Sequence, residues 1–190
     1  MGNVSNFIDD SFSKSRELNE LTYVKLSADV KAVSRTLVSA LRNGRKVLIC
    51  GNGGSASDAN HFAAELVCKF RKERRALPAI SLTANPSTMT AIPNDYDFER
   101  VFSRQVEAFG KKGDVFIGIT TSGNSKNVIE AARKATSLGL KTISFTGNKG
   151  GKIKGFCDLS LIVPSSDTAR IQEMHILIIH TLCDIIEAGF

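Results

Sequence analysis

The chain has 190 residues, 42% of them hydrophobic, enough to fill one core and to predict a single domain over residues 1–190. Its formal charge of +6 comes from 25 basic residues interspersed among 19 acidic ones, the mixed pattern of a solvated surface, so no nucleic-acid partner is expected. Four cysteines without CxxC spacing exclude a zinc ribbon and a disulfide framework, and their apolar settings predict buried thiols of a reducing compartment.

The N-terminus, MGNVSNFIDDSF, places polar and acidic residues where a signal peptide needs an apolar run. Asn6 stands where a myristoylation pattern needs Ser or Thr. No stretch approaches the roughly 18 to 20 apolar residues of a membrane span, so the expected setting is cytoplasmic, without a membrane partner. Over residues 17–43, Leu18, Leu21, Val24, Val30, Val33, Leu37 and Leu41 recur mostly at steps of three or four. This predicts a long amphipathic helix ending near Asn43 and Gly44.

Five short apolar runs follow: VLIC (47–50), AISL (79–82), VFIGI (115–119), TISF (142–145) and LSLIV (159–163). They are continuous rather than alternating, and helix-like segments separate them. That is the signature of parallel strands covered on both faces, and it predicts a three-layer α/β/α sandwich with a five-stranded parallel sheet.

In such sheets ligands sit beyond the carboxyl ends of the strands. The first run is followed by Gly51-Asn52-Gly53-Gly54-Ser55, and the third by Thr120-Thr121-Ser122-Gly123-Asn124-Ser125. Glycines let backbone amides approach an anion, hydroxyls add donors, and the following helix points its positive end at the same place. A phosphate suits both loops, although Ser, Thr and Asn are also ordinary helix N-caps. Neither loop has the GxxxxGK[ST] or GxGxxG order of a nucleotide-binding motif.

Within DANHFAAELV, His61 and Glu65 are four residues apart on a helical pattern, which sets their Cβ atoms about 5 to 6 Å apart on one face. The spacing suits two ligands of one metal, a carboxylate base beside an imidazole, or a plain surface contact. The basic run Lys69 to Arg75 (KFRKERR) reads as a solvated helix end and loop. The last segment, about Thr168 to Glu187, is apolar nearly all round and predicts a buried helix, against the core or another subunit. It carries Gln172, His175 and His180. Gln172 and His180 lie about 12 Å apart along the axis, so they meet only through another element. His175 reads as a core histidine.

The loops GNGGSASDANHF and TTSGNS, the NDY at 94–96, and ARIQEMH before His180 together resemble the sugar isomerase (SIS) family, and within it the members acting on sedoheptulose 7-phosphate. The likeness runs almost the whole length of the chain. It implies a flavodoxin-like fold, a homotetramer, and conversion of that ketose phosphate to D-glycero-D-manno-heptose 7-phosphate for lipopolysaccharide or capsule. It further implies Glu65 and His180 as the catalytic pair, and His61, Glu65, Gln172 and His180 as ligands of one zinc ion. Substrate contacts fall on Asn52, Gly53, Gly54, Ser55, Glu65, Asn94, Asp95, Thr120, Thr121, Ser122, Ser125 and Gln172. Lys69 stands where some members have arginine, which replaces a bidentate fork by a single ammonium. Two rivals share these loops: an isomerase for another ketose phosphate, and a non-catalytic SIS protein that binds a phosphosugar or the replication initiator. The initiator-binding relative lacks the acid and the final histidine that stand here as Glu65 and His180.

Overall fold

Residues whose side chains meet apolar neighbours on both sides of a strand leave no polar alternation, and this is how the central strands pack. In the computed structural model, which describes residues 4–190, every residue of β1 (Val47–Gly51) and β3 (Val115–Ile119) is buried. With β2 (Ala79–Ser81), β4 (Lys141–Gly147) and β5 (Leu159–Val163) they form one sheet in the order β2-β1-β3-β4-β5, parallel throughout. Alternate residues divide between two cores. Val47, Ile49, Ile117, Phe145 and Leu161 face the helices α1 (Val4–Arg42), α2 (Gly54–Val67) and α6 (Thr168–Glu187). Leu48, Cys50 and Phe116 face α4 (Ser103–Phe109) and α5 (Lys126–Ser137), with the short α3 (Pro86–Asp95) beside them. The result is the expected three-layer α/β/α sandwich. Its strand order places a topological switch point between β1 and β3, where the following helices α2 and α5 depart to opposite faces.

Several boundaries differ from the sequence reading. The first helix begins at Val4 rather than near residue 17. Its apolar stripe becomes periodic only where it packs, from Leu18 onward, while the earlier turns expose Phe7, Ile8 and Phe12. Those turns carry local i,i+4 links instead, such as Lys14 to Asp10 at 2.7 Å. β4 extends to Gly147, because Thr146 and Gly147 continue the pairing with Ile162 and Val163. Between β4 and β5 the chain makes a 3₁₀ turn at Ile153–Phe156 where a crossover helix was expected, the glycine-rich stretch 147–155 being a poor helix former.

α6 spans the expected residues but is not buried all round. Ile171, Met174, Ile178, Leu182 and Ile186 enter the core, whereas Leu177 and Ile185 are exposed along a groove shared with α1. The cysteines are unpaired, with Cys50 and Cys183 buried and Cys157 half-buried. Cys68 is exposed, against expectation, since it caps α2 where the chain leaves the core. Among the described residues no helix is long and apolar enough to cross a membrane.

Candidate functional site

The two glycine and hydroxyl loops leave adjacent strands, β1 and β3, and are tied to each other. Asn52 exchanges two hydrogen bonds of 2.9 Å with Asn127 of α5. Asn127, 3% exposed and unremarked in the sequence, follows the TTSGNSK stretch directly and its own side chain accepts from the Val128 amide. In the second loop the Thr120 hydroxyl lies 2.9 Å from Ser125 Oγ and 3.5 Å from Ser122 Oγ, so three hydroxyls converge at the N-terminus of α5.

Neither loop uses its side chains as ordinary caps. Gly53 precedes α2 and Ser125 precedes α5, and neither supplies a side-chain cap bond. A turn with routine N-caps would have spent these groups on the helix; here the hydroxyls bond one another beside two positive helix ends. Ser55 is buried within the first turn of α2, with its amide bonded to the Asn52 carbonyl. The second loop is braced from behind by the β4–β5 crossover: Ile153 N–H donates to the Gly123 carbonyl at 3.0 Å, and a β-carbon on Gly123 would stand 2.2 Å from the Gly150 oxygen. Gly123, at φ 67°, is therefore fixed as glycine by both backbone conformation and space. Thr121 contributes its carbonyl to the same bracing, accepting from the Gly147 amide.

α6 crosses the first loop. A β-carbon on Gly54 would sit 2.5 Å from Gln172 Nε2, so the amide side chain lies directly on the loop. Gln172 shares a cleft of about 470 Å³ with Gly54, Ser57, Asp58, His61 and Glu173. Asp58 is a residue the sequence reading missed, although it stands one helical turn before His61. One of its oxygens is buried without a partner. Burial pushes its carboxyl up to about 6, and the nearby His61 opposes this only in part.

On the far side of His61 the second cluster begins. His61 Nε2 lies 3.0 Å from Glu65 Oε1, and its ring centroid is 5.1 Å from that of His180 in an edge-on arrangement. His180 also stacks on Phe70, at 5.4 Å and 27°, an aromatic contact with no sequence signal beyond its place in the basic run. His61 thus lines one cleft with Gln172 and stands edge-on to His180, two turns farther along α6.

His175 points away from this cluster into the core, where it is fully buried. Its Nε2 lies 3.1 Å from the Thr146 carbonyl, while Nδ1 has no partner. Burial pulls its pKa down to about 4, opposed by that backbone bond, so the ring is neutral.

Asn94 and Asp95 end α3, exposed, with the Asn94 amide donating to the Asp95 carboxylate at 2.9 Å. Lys69 is turned to Glu73 in an exposed pair at 2.9 Å. The basic run is not simply a solvated loop: Arg71 pairs with Asp184, and the Arg74 side chain is 3% exposed.

Among the described residues no group of three His, Cys, Asp or Glu side chains is preassembled as a metal cage. The donor chemistry nonetheless suits a borderline cation: two imidazoles, a carboxylate and an amide oxygen, with His61 and Glu65 already in contact.

A model for the SIS domain matches residues 12–147. The phosphoheptose isomerase of Helicobacter pylori strain P12 is 54% identical over 187 residues, covering 98% of this chain and 97% of its own. That of Clostridium acetobutylicum is 51% identical over 186 residues, covering 97% and 95%. Among solved structures, the phosphoheptose isomerase of Francisella tularensis superposes with a TM-score of 0.95 at 41% identity, covering 98% of this chain and 99% of that one. The chain belongs to the SIS-domain family, in its phosphoheptose isomerase branch.

Proposed function

We propose that this chain is a ketose–aldose isomerase that converts sedoheptulose 7-phosphate to D-glycero-D-manno-heptose 7-phosphate, supplying heptose for lipopolysaccharide or capsule. The observation that carries the reading is His61, bonded to Glu65 and edge-on to His180, at the rim of the cleft that holds Gln172 and the first loop. Proton donors and acceptors thereby meet a site suited to a phosphorylated polyol. The relatives of that name match nearly end to end, so the substrate class is carried by more than a shared fold.

The reaction moves a hydrogen from C1 to C2 of the open-chain ketose. In our reading the Glu65 carboxylate takes the proton from C1, leaving an enediol, and returns it to C2. His180 passes the accompanying proton between the oxygens and assists ring opening. The hydroxyls of Thr120, Ser122 and Ser125, with the α5 N-terminus, hold the 7-phosphate, and Asn52, Gly53, Gly54, Ser55, Thr121, Asn94 and Asp95 contact the sugar chain. Binding the remote phosphate fixes the reacting carbons against Glu65.

His61, Glu65, Gln172 and His180 would hold one zinc ion. Zinc bound there supplies Lewis-acid polarisation of the sugar oxygens. The four unpaired cysteines support a cytoplasmic setting. A homotetramer is supported by the groove between α1 and α6, lined by Leu26, Val30, Leu177 and Ile185, and by the exposed Tyr23 and Val24 beside it.

The test is to incubate metal-stripped protein with sedoheptulose 7-phosphate, with and without zinc, and follow aldose phosphate by NMR. Zinc-dependent aldose is expected. Phosphosugar binding without product would replace this reading by another ketose or by a non-catalytic binding role.

A further inference from the structure

The loop after α2 is fastened to α6 by a buried ion pair that the mechanism above does not use. Arg74 lies beneath the end of α2, where Nη2 donates to the Glu65 carbonyl at 2.7 Å and Nη1 to the carbonyls of Leu66 and Cys68 at 2.9 and 3.2 Å. These are the carbonyls a helix leaves unpaired in its last turn, and one of them belongs to Glu65 itself. Across from it, Glu187 of α6 accepts from three consecutive backbone amides, Phe70 at 2.9 Å and Arg71 and Lys72 at 2.7 Å. Arg74 Nε stands 3.6 Å from Glu187 Oε1, and both side chains are 3% exposed.

This arrangement works against two general costs. A carboxylate in the last turn of a helix opposes the helix dipole, and removing an ion pair from water costs much of what the pairing returns. Burial alone would raise the Glu187 carboxyl; the three amides and Arg74 outweigh it and hold the group below its ordinary value. Apolar side chains of similar size would avoid the desolvation cost but would leave these three amides and three carbonyls without their partners. What the charged pair adds is a fixed geometry between two elements.

Those elements carry the candidate reacting groups. The clasped segment presents Phe70, whose ring stacks on His180, and Arg71, whose guanidinium lies 4.9 Å from the Phe70 centroid and pairs with Asp184 at 2.9 Å. His180, Asp184 and Glu187 follow one another at i, i+4 and i+7, a single stripe of α6 that grips the loop at three points.

We propose that the Arg74–Glu187 pair is a positioning device that holds Glu65, at the end of α2, and His180, on α6, in fixed relation through the Phe70 loop. The proposal rests on the reading in which Glu65 and His180 react with the sugar, so its test includes a readout independent of turnover. The chain has three histidines, and His180 alone stacks on Phe70, so ring-current shifts report its placement.

The experiment compares wild type, Glu187→Gln, Arg74→Lys and Phe70→Leu, all full-length and matched in metal content, by imidazole NMR at one fixed pH and by steady-state kinetics. Glu187→Gln keeps the size but offers one acceptor to three amides; Arg74→Lys keeps the charge but cannot reach all the carbonyls; Phe70→Leu removes the stack with the clasp intact. The His180 resonances are expected to move in the same direction in all three, with His175 unmoved, kcat lowered about tenfold, and KM within twofold. If Glu187→Gln or Arg74→Lys folds and leaves the His180 resonances at wild-type positions, the proposal is overturned. Should both fail to fold, Glu187→Asp, which keeps the charge but shortens its reach to the three amides, takes their place, and an unmoved His180 there overturns the proposal equally, with Phe70→Leu giving the shift expected for complete loss of the stack. A wild type without turnover would remove the isomerase reading, while the resonances still decide whether the pair places His180.

Discussion

Gln172 lies so close to Gly54 that a β-carbon on the glycine would stand 2.5 Å from its amide nitrogen and 2.9 Å from its amide carbon. Gly54 has no unusual φ and opens α2, where alanine is the better helix former by up to about 1 kcal/mol. Gly54→Ala is therefore expected to fold as well as the parent, with Gln172 driven off the loop and kcat/KM lowered about 10- to 100-fold. Thermal melting and steady-state kinetics together check this. A variant with full activity would mean that the Gln172 contact has no part in the reaction.

Replacing Glu65 by Gln removes the proton acceptor while preserving its size, and replacing His180 by Ala removes the other proton-transfer group. Each change is expected to lower kcat by about 10² to 10⁴, the usual contribution of a positioned acid or base. Glu65 is half-buried and His180 lies at the edge of the core, so circular dichroism of both variants should match the parent. Wild-type rates in both would move the chemistry away from this cluster.

The Thr120–Ser125 contact makes a separate prediction for the other end of the substrate. Ser125→Ala deletes a hydroxyl that bonds Thr120 and faces the α5 N-terminus, but it leaves the backbone cradle in place. KM should rise about tenfold with kcat changed less than twofold, because the lost contact serves ground state and transition state alike. An unchanged KM would place the phosphate elsewhere.

How far the sequence could be read follows from which signals are local. Continuous apolar runs at 115–119 and 159–163 mark strands whose bounds the structure reproduces; burial on both faces imposes that pattern on the central β3, whereas the edge strand β5 is only partly buried. The start of α1 was illegible because its first turns bury nothing, and periodicity reports packing rather than helix as such. At the site, His61 and Glu65 were visible through their i,i+4 spacing, and the two loops through their composition. Asp58, Phe70 and Asn127 were not. Asp58 gains its character from burial, Phe70 from a ring 110 positions away in sequence, and Asn127 from a partner on another strand's loop, none of which a spacing rule records. Buried Arg74 was hidden for the opposite reason, as its run of charges looks like solvent-facing sequence.

His175 allows a prediction about acid stability. Its folded pKa of about 4 lies below the ordinary 6.5 of an unfolded histidine, so the native ring stays neutral while the unfolded chain takes up a proton. Stability from this group is fully present above about pH 6.5 and falls as pH drops through the window from 6.5 to 4. The shift corresponds to about 3 kcal/mol at its limit. In His175→Gln an amide N–H can still reach the Thr146 carbonyl, but nothing titrates. Urea unfolding between pH 4 and 8 should give a shallower acid decline for this variant than for the parent, with the two curves parallel above pH 7. Equal slopes throughout the acid range would show that His175 does not govern it, and that groups such as Glu187, whose carboxyl its three amide partners hold below the ordinary value, set the decline instead.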